Sequence, residues 1–127
     1  AFVKQRSRVR FPEVAPLNFK IMKSELGKIV VYVPSSHAEK IRKVLAENGA
    51  GHLGNYDFCS FSAKGVGRFR PLKGANPYIG KQGKIEKVLE ERIETICPKK
   101  SLKKILAAVK KAHPYEEPAI DVYSLLN

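Results

Sequence analysis

Apolar positions recur along the chain in two different periods, and each change of period marks a new element. Lys28 to Pro34 (KIVVYVP) is a short β-branched apolar run bounded by Gly27 and Pro34, which predicts a buried strand. From Ala38 the spacing becomes Ala38, Ile41, Leu45, one face of a helix. Ser36 and Glu39 form a capping box before it, and Asn48-Gly49 closes it. Asn55 to Ser62 predicts a second strand, with Tyr56 and Phe58 on one face and Cys59 and Phe61 on the other. Ile85 to Cys97 predicts a third, in which Leu89, Ile93 and Thr95 alternate against Glu90, Arg92 and Glu94. Leu102, Ile105, Leu106 and Val109 form the stripe of a second helix, with Ser101 as its cap. Lys110, Lys111 and His113 sit in its last turn, where cations suit the helix dipole, and Pro114 ends it. Ala119 to Leu126 predicts the last strand.

The order is β-α-β-β-α-β, the split unit of an α+β, ferredoxin-like sandwich. Both helices then cover one face of the sheet. The other face is expected to keep apolar side chains that a lone subunit would expose, and self-association would cover them. Between the second and third strands, residues 64–83 show no period and hold five glycines. A loop of that length in a small domain points to function or to disorder.

A chain of 127 residues forms one domain, here divided into a basic extension, 1–27, and the patterned domain, 28–127. In the extension Lys4, Arg6, Arg8, Arg10, Lys20 and Lys23 face only Glu13 and Glu25, and Pro12 and Pro16 interrupt any long helix. Lys4, Arg6, Arg8 and Arg10 are the candidates for an arm on a polyanionic partner; the remainder of an organelle transit peptide and a stretch with no packed structure are the other readings. The net charge of +12 likewise allows nucleic acid, an acidic protein surface, anionic lipid or anionic small ligands as partners, or a generally basic surface with none. No apolar run approaches the ~20 residues of a membrane span. Two cysteines, Cys59 and Cys97, with no C-x-x-C between them, fit a reducing interior, so a cytoplasmic location is expected, with an organelle matrix after transit-peptide removal as the alternative.

The motifs exclude more chemistry than they offer. Gly49 to Gly54 matches G-x-G-x-x-G, but it follows a helix and opens a strand, the reverse of a dinucleotide site. Gly74 to Lys81 has one residue too many for a P-loop, and Gln82 stands where Ser or Thr should bind magnesium. No G-x-S-x-G and no zinc spacing occurs. The long loop is nonetheless acid-free between Asp57 and Glu86 and rich in cations. Arg68, Arg70, Lys73, Gly74, Asn76 and Lys81 are the candidate anion site, since glycine backbone and guanidinium forks suit phosphate. The alternative is that the glycines shape a hairpin and the arginines meet a neighbouring subunit. His113 and Glu116, with Cys59, are the candidate metal ligands; the alternative is a helix stop with Tyr115 wedged into the core.

Several runs together resemble one family. They include Gly51-His52-Leu53-Gly54-Asn55-Tyr56-Asp57, Gly74-Ala75-Asn76-Pro77-Tyr78-Ile79-Gly80, Glu91-Arg92-Ile93-Glu94-Thr95 and Ala112-His113-Pro114-Tyr115-Glu116-Glu117-Pro118. They resemble the small domain inserted in YqfO-type proteins of the dinuclear-metal, GTP-cyclohydrolase-type-two-like superfamily, and the match spans nearly all of 28–127. The last run also resembles the trimeric CutA proteins, which share a fold with PII signalling proteins. The resemblance implies a ferredoxin-like domain forming homotrimers. The metal ligands of the longer relatives match no position here. The expected function is therefore a non-enzymatic binding or regulatory module without a cofactor. The alternatives are an accessory subunit of a large assembly, a ribosome or organelle complex, held by the basic arm, and a metal-binding protein.

Overall fold

The computed structural model describes residues 25–127. Strand β1 (Leu26–Pro34) leads through a 3-10 turn into helix α1 (Ala38–Glu47). Strands β2 (Phe61–Phe69) and β3 (Glu86–Pro98) follow, then a second 3-10 turn, helix α2 (Leu102–Ala112) and strand β4 (Ile120–Ser124). The four strands form one sheet in the order β2-β3-β1-β4, every neighbouring pair antiparallel. This is the α+β, ferredoxin-like arrangement expected from the pattern.

Cross-strand partners share a sheet face, so the register sorts the side chains. Ile29 lies opposite Thr95 and Val31 opposite Ile93. With Val33 and Cys97 they meet Ile41, Leu45, Ile105 and Val109 from the two helices in one core. Ile29, Val31, Ile93, Ile105 and Val109 are each 0% exposed, which makes each worth about 1.5–3 kcal/mol of burial. One polar link crosses this layer. Glu91, 9% exposed, accepts from Arg42 Nη1 of α1 at 2.7 Å, and Arg42 also holds Ser62 Oγ at 3.1 Å and Glu39 at 3.0 Å. The guanidinium pKa is pushed up, chiefly by its bond to Glu91 and against the opposing effect of burial.

Three expectations change. The second strand starts at Phe61, not Asn55. Residues 55–60 belong to a loop pressed onto β3: Gly51 donates to Ile96 O at 2.7 Å, Cys59 donates to Gly51 O at 3.0 Å, and Thr95 Oγ1 donates to Cys59 O at 2.6 Å. Gly51 has φ +81, and a Cβ there would sit 2.4 Å from the Cys59 carbonyl oxygen, so only glycine fits. The alternating aromatics therefore come from a stitched loop, while the true strand carries Gly65 and Gly67 and has no apolar period. Neither helix has a side-chain cap; each is entered from a 3-10 turn, and Ser36 Oγ contacts His37 Nδ1 at 2.8 Å instead of the helix. The open sheet face is also not uniformly apolar. At its centre Lys28 and Arg92 reach Glu94 at 3.7 and 3.2 Å, above Val30, which is 3% exposed. Exposed aromatics, Phe61 and Tyr123, stand on the edge strands.

Candidate functional site

The chain leaves α2 at His113, whose extended backbone (φ −74, ψ 136) turns it away from the helix axis. The imidazole is buried. Its Nδ1 accepts from the Tyr115 backbone N–H at 3.1 Å, which leaves the ring proton on Nε2, donated to Tyr32 O at 2.7 Å. Burial pushes the His113 pKa below its ordinary value, against the Tyr32 carbonyl and the nearby Glu90 charge, which favour the cation. This locked ring sets the next one. Tyr115 packs at 5.1 Å from His113 and 5.8 Å from Phe69, and its hydroxyl donates to Glu90 Oε2 at 2.6 Å. Burial first, and the Glu90 carboxylate second, push the phenol pKa well up, so the bond keeps its proton on Tyr115.

The long loop closes over this group from the other side. Gly83 donates to Pro71 O at 2.8 Å, which pins the loop's base, and Ala75 donates to Leu72 O at 3.0 Å. At its tip Asn76 N–H donates to Glu116 Oε2 at 3.0 Å, and Tyr78 meets His37 edge-on at 5.7 Å. The two runs that stand out in the sequence, 74–80 and 113–118, are thus in direct contact.

Between them, β2 and β3 lies a cleft of about 770 Å³. Of the candidate anion residues, Arg68, Arg70, Lys73 and Gly74 are in its lining. Asn76 lines a smaller adjoining hollow of about 400 Å³, and Lys81 lines neither. The fold also brings in what the local sequence does not show: the carboxylates of Glu90, Glu116 and Glu117, with Tyr32, Phe69, Tyr78 and Tyr115. The stretch is acid-free only along the chain. The one sequence signal for Glu90 is the alternation that puts it on the Arg92 and Glu94 face. Gly67 gives it room, because a Cβ there would overlap the Glu90 carboxylate. With cations, carboxylates and aromatic rings all in its lining, the cleft suits a small ligand that carries both an anionic group and a hydrogen-bond donor.

The metal reading fares differently. Both His113 nitrogens are engaged and Glu116 holds the loop. Cys59 sits in the loop stitched to β3, its thiol 3.7 Å from Asp57 O. Among the described residues no group of three or more His, Cys, Asp or Glu could hold a metal ion. Cys97 is buried, and burial pushes its thiol pKa up. Lys4, Arg6, Arg8 and Arg10 lie outside the described residues. Among those residues, no helix is long and apolar enough to cross a membrane.

No model of a known protein family matches the chain. Individual proteins do. The GTP cyclohydrolase 1 type 2 homolog of Halalkalibacterium halodurans is 52% identical over 102 residues, 80% of this chain and 27% of that protein. A crystal structure of a Bacillus cereus protein related to NIF3 superposes with a TM-score of 0.72 at 48% identity, covering 83% of this chain and 27% of the other. The periplasmic divalent cation tolerance protein CutA of Archaeoglobus fulgidus aligns over 80% of this chain and 85% of its own, with a TM-score of 0.59 at 22% identity, which shows the fold alone. This chain thus spans about a quarter of the curated relatives it matches. It is homologous to that segment of the NIF3-related, YqfO-type proteins, and its fold is that of CutA.

Proposed function

We propose that this chain is a binding or regulatory module, not an enzyme, that assembles as a homotrimer and recognises an anionic small molecule in the cleft. The observation that carries this reading is the cleft itself. Two loops distant in sequence are tied together by the Asn76–Glu116 bond, and Arg68 at the end of β2, with Arg70 and Lys73 of the long loop, is among the residues that line the cavity beside them. The name of the relatives points to GTP chemistry. The matched segment is only about a quarter of them, so that chemistry is not carried over to this chain. Assembly through the open sheet face is supported by the exposed Phe61 and Tyr123 at its edges and by the fold shared with CutA.

Thermal unfolding with inorganic pyrophosphate and with GTP tests the ligand. Either anion should raise the wild-type Tm, and the double variant Arg68→Glu, Arg70→Glu should lose the rise. No rise in the wild type, or an equal rise in the variant, overturns the anion site. Sedimentation equilibrium tests the assembly: a mass three times the 14.2 kDa chain is expected, and a monomer sinks it.

The second reading is an accessory subunit of a large assembly, in the cytoplasm or an organelle matrix. Its motivation is the basic extension. Replacing Lys4, Arg6, Arg8 and Arg10 with Gln should release the protein from that assembly on gradient sedimentation. Retained co-sedimentation removes the arm's role.

A further inference from the structure

Helix α2 presents a surface that the cleft does not use. Its apolar stripe is spent on the core, where Ile105 and Val109 are fully buried and Leu102 and Leu106 pack beside them. The opposite face is Lys103, Lys104, Ala107, Lys110 and Lys111, all exposed. Lys103 and Lys110 are two turns apart, as are Lys104 and Lys111, or about 10 Å along the axis. Four ammonium groups therefore stand in two rows, with only a methyl group between the upper and lower pairs. The segment from Pro98 to Tyr115 contains six lysines and no acidic residue. Among the described residues, none of these four lysines has an ion-pair partner; the pairs present use Lys28, Arg42, Lys43 and Arg92.

We propose that this lysine face of α2 docks the phosphate backbone of double-stranded nucleic acid, without regard to sequence. Lysine ammonium groups act as point charges toward phosphate, and phosphate contacts position a protein without reading bases. A membrane surface would need an apolar or aromatic edge beside the lysines, and here that edge is inside the core. Single strands are held by stacking on aromatic rings, and this face has none. The helix layer lies on the side of the sheet opposite the open face. It stays outward when a second copy covers that face. The inference does not depend on the cleft or on residues 1–24.

The test is fluorescence anisotropy of the full chain with short labelled duplex RNA and duplex DNA, from about 50 to about 200 mM salt. Each lysine–phosphate contact contributes about 0.9 to the slope of log K against log salt, so four contacts cost about 100-fold in affinity across that range. The variant Lys103→Gln, Lys104→Gln, Lys110→Gln, Lys111→Gln keeps helix propensity close to the wild type, and circular dichroism checks that its fold is intact. It should flatten the slope by about 3 to 4. Exchanging Lys4, Arg6, Arg8 and Arg10 for Gln in parallel should leave that increment in place. Wild-type affinity and slope in the helix variant overturn the proposal. So does tighter wild-type binding to single-stranded RNA of the same length, or to vesicles of phosphatidylcholine with phosphatidylserine.

Discussion

The two halves of the sheet are built on opposite principles. Where the helices cover it, β1 and β3 bury Ile29, Val31 and Ile93 completely, and the apolar packing is interrupted by the Arg42–Glu91 link and by the Thr95 hydroxyl, which is bonded to Cys59 O. Where β2 and β3 run on beyond the helices, Val66 and Leu89 face each other across the strands at 47% and 71% exposed, and order comes from polar bonds: Tyr115 to Glu90, Asn76 to Glu116, His113 to Tyr32. The first half draws its stability from area, which is large and non-directional. The second draws its shape from directional bonds that are individually small. A region held in the second way can be arranged around a ligand without rebuilding the core.

The strongest way to separate the halves is to damage the core alone. Ile93→Ala should cost about 3 kcal/mol in urea unfolding, by lost burial plus a cavity. Arg42→Ala should follow at about 2 kcal/mol on the same measurement. It leaves Glu91 nearly buried without its cation, a penalty softened by the water that reaches the Arg42 side chain, which is 27% exposed. Tyr115→Phe should cost only about 1 kcal/mol globally, yet it should speed amide exchange across 70–80, where loss of the Glu90 bond loosens the cleft. If exchange there is unchanged, the polar bonds do not order that half.

The smallest effect is a pH slope. The folded His113 has a pKa below its ordinary value of about 6.5, so as pH falls the unfolded chain takes up the proton first. Its contribution to stability is whole above the ordinary value and is lost as pH drops through it toward the folded one. Urea midpoints from about pH 8 to about pH 5 should decline more steeply for the wild type than for His113→Gln. Parallel curves would mean that the ring titrates alike in both states.

The same contrast explains what could be read in the sequence. β1, α1, β3 and α2 are legible because burial imposes a period, and Ile41-Leu45 and Ile105-Val109 carry it plainly. β2 is illegible because an edge strand exposed on both faces needs no period, and Tyr56 and Phe58 in the stitched loop imitate one. Arg68, Arg70 and Lys73 could be named as cleft residues from their charge and glycine neighbours. Glu90 and Glu117 could not, because only the fold brings them to the cations. Nor does spacing show that both His113 nitrogens are already committed to Tyr32 and Tyr115.

The strand order has a consequence for synthesis. β1 pairs only with β3 and β4, both far downstream of it. Some 64 residues separate Pro34 from Pro98, so at ordinary translation speeds about 3 to 13 s pass before the first strand has its complete partner. During that interval Ile29, Val31 and Val33 can be sheltered only by α1 or by a chaperone, and the nascent chain is at its most adhesive before the domain exists.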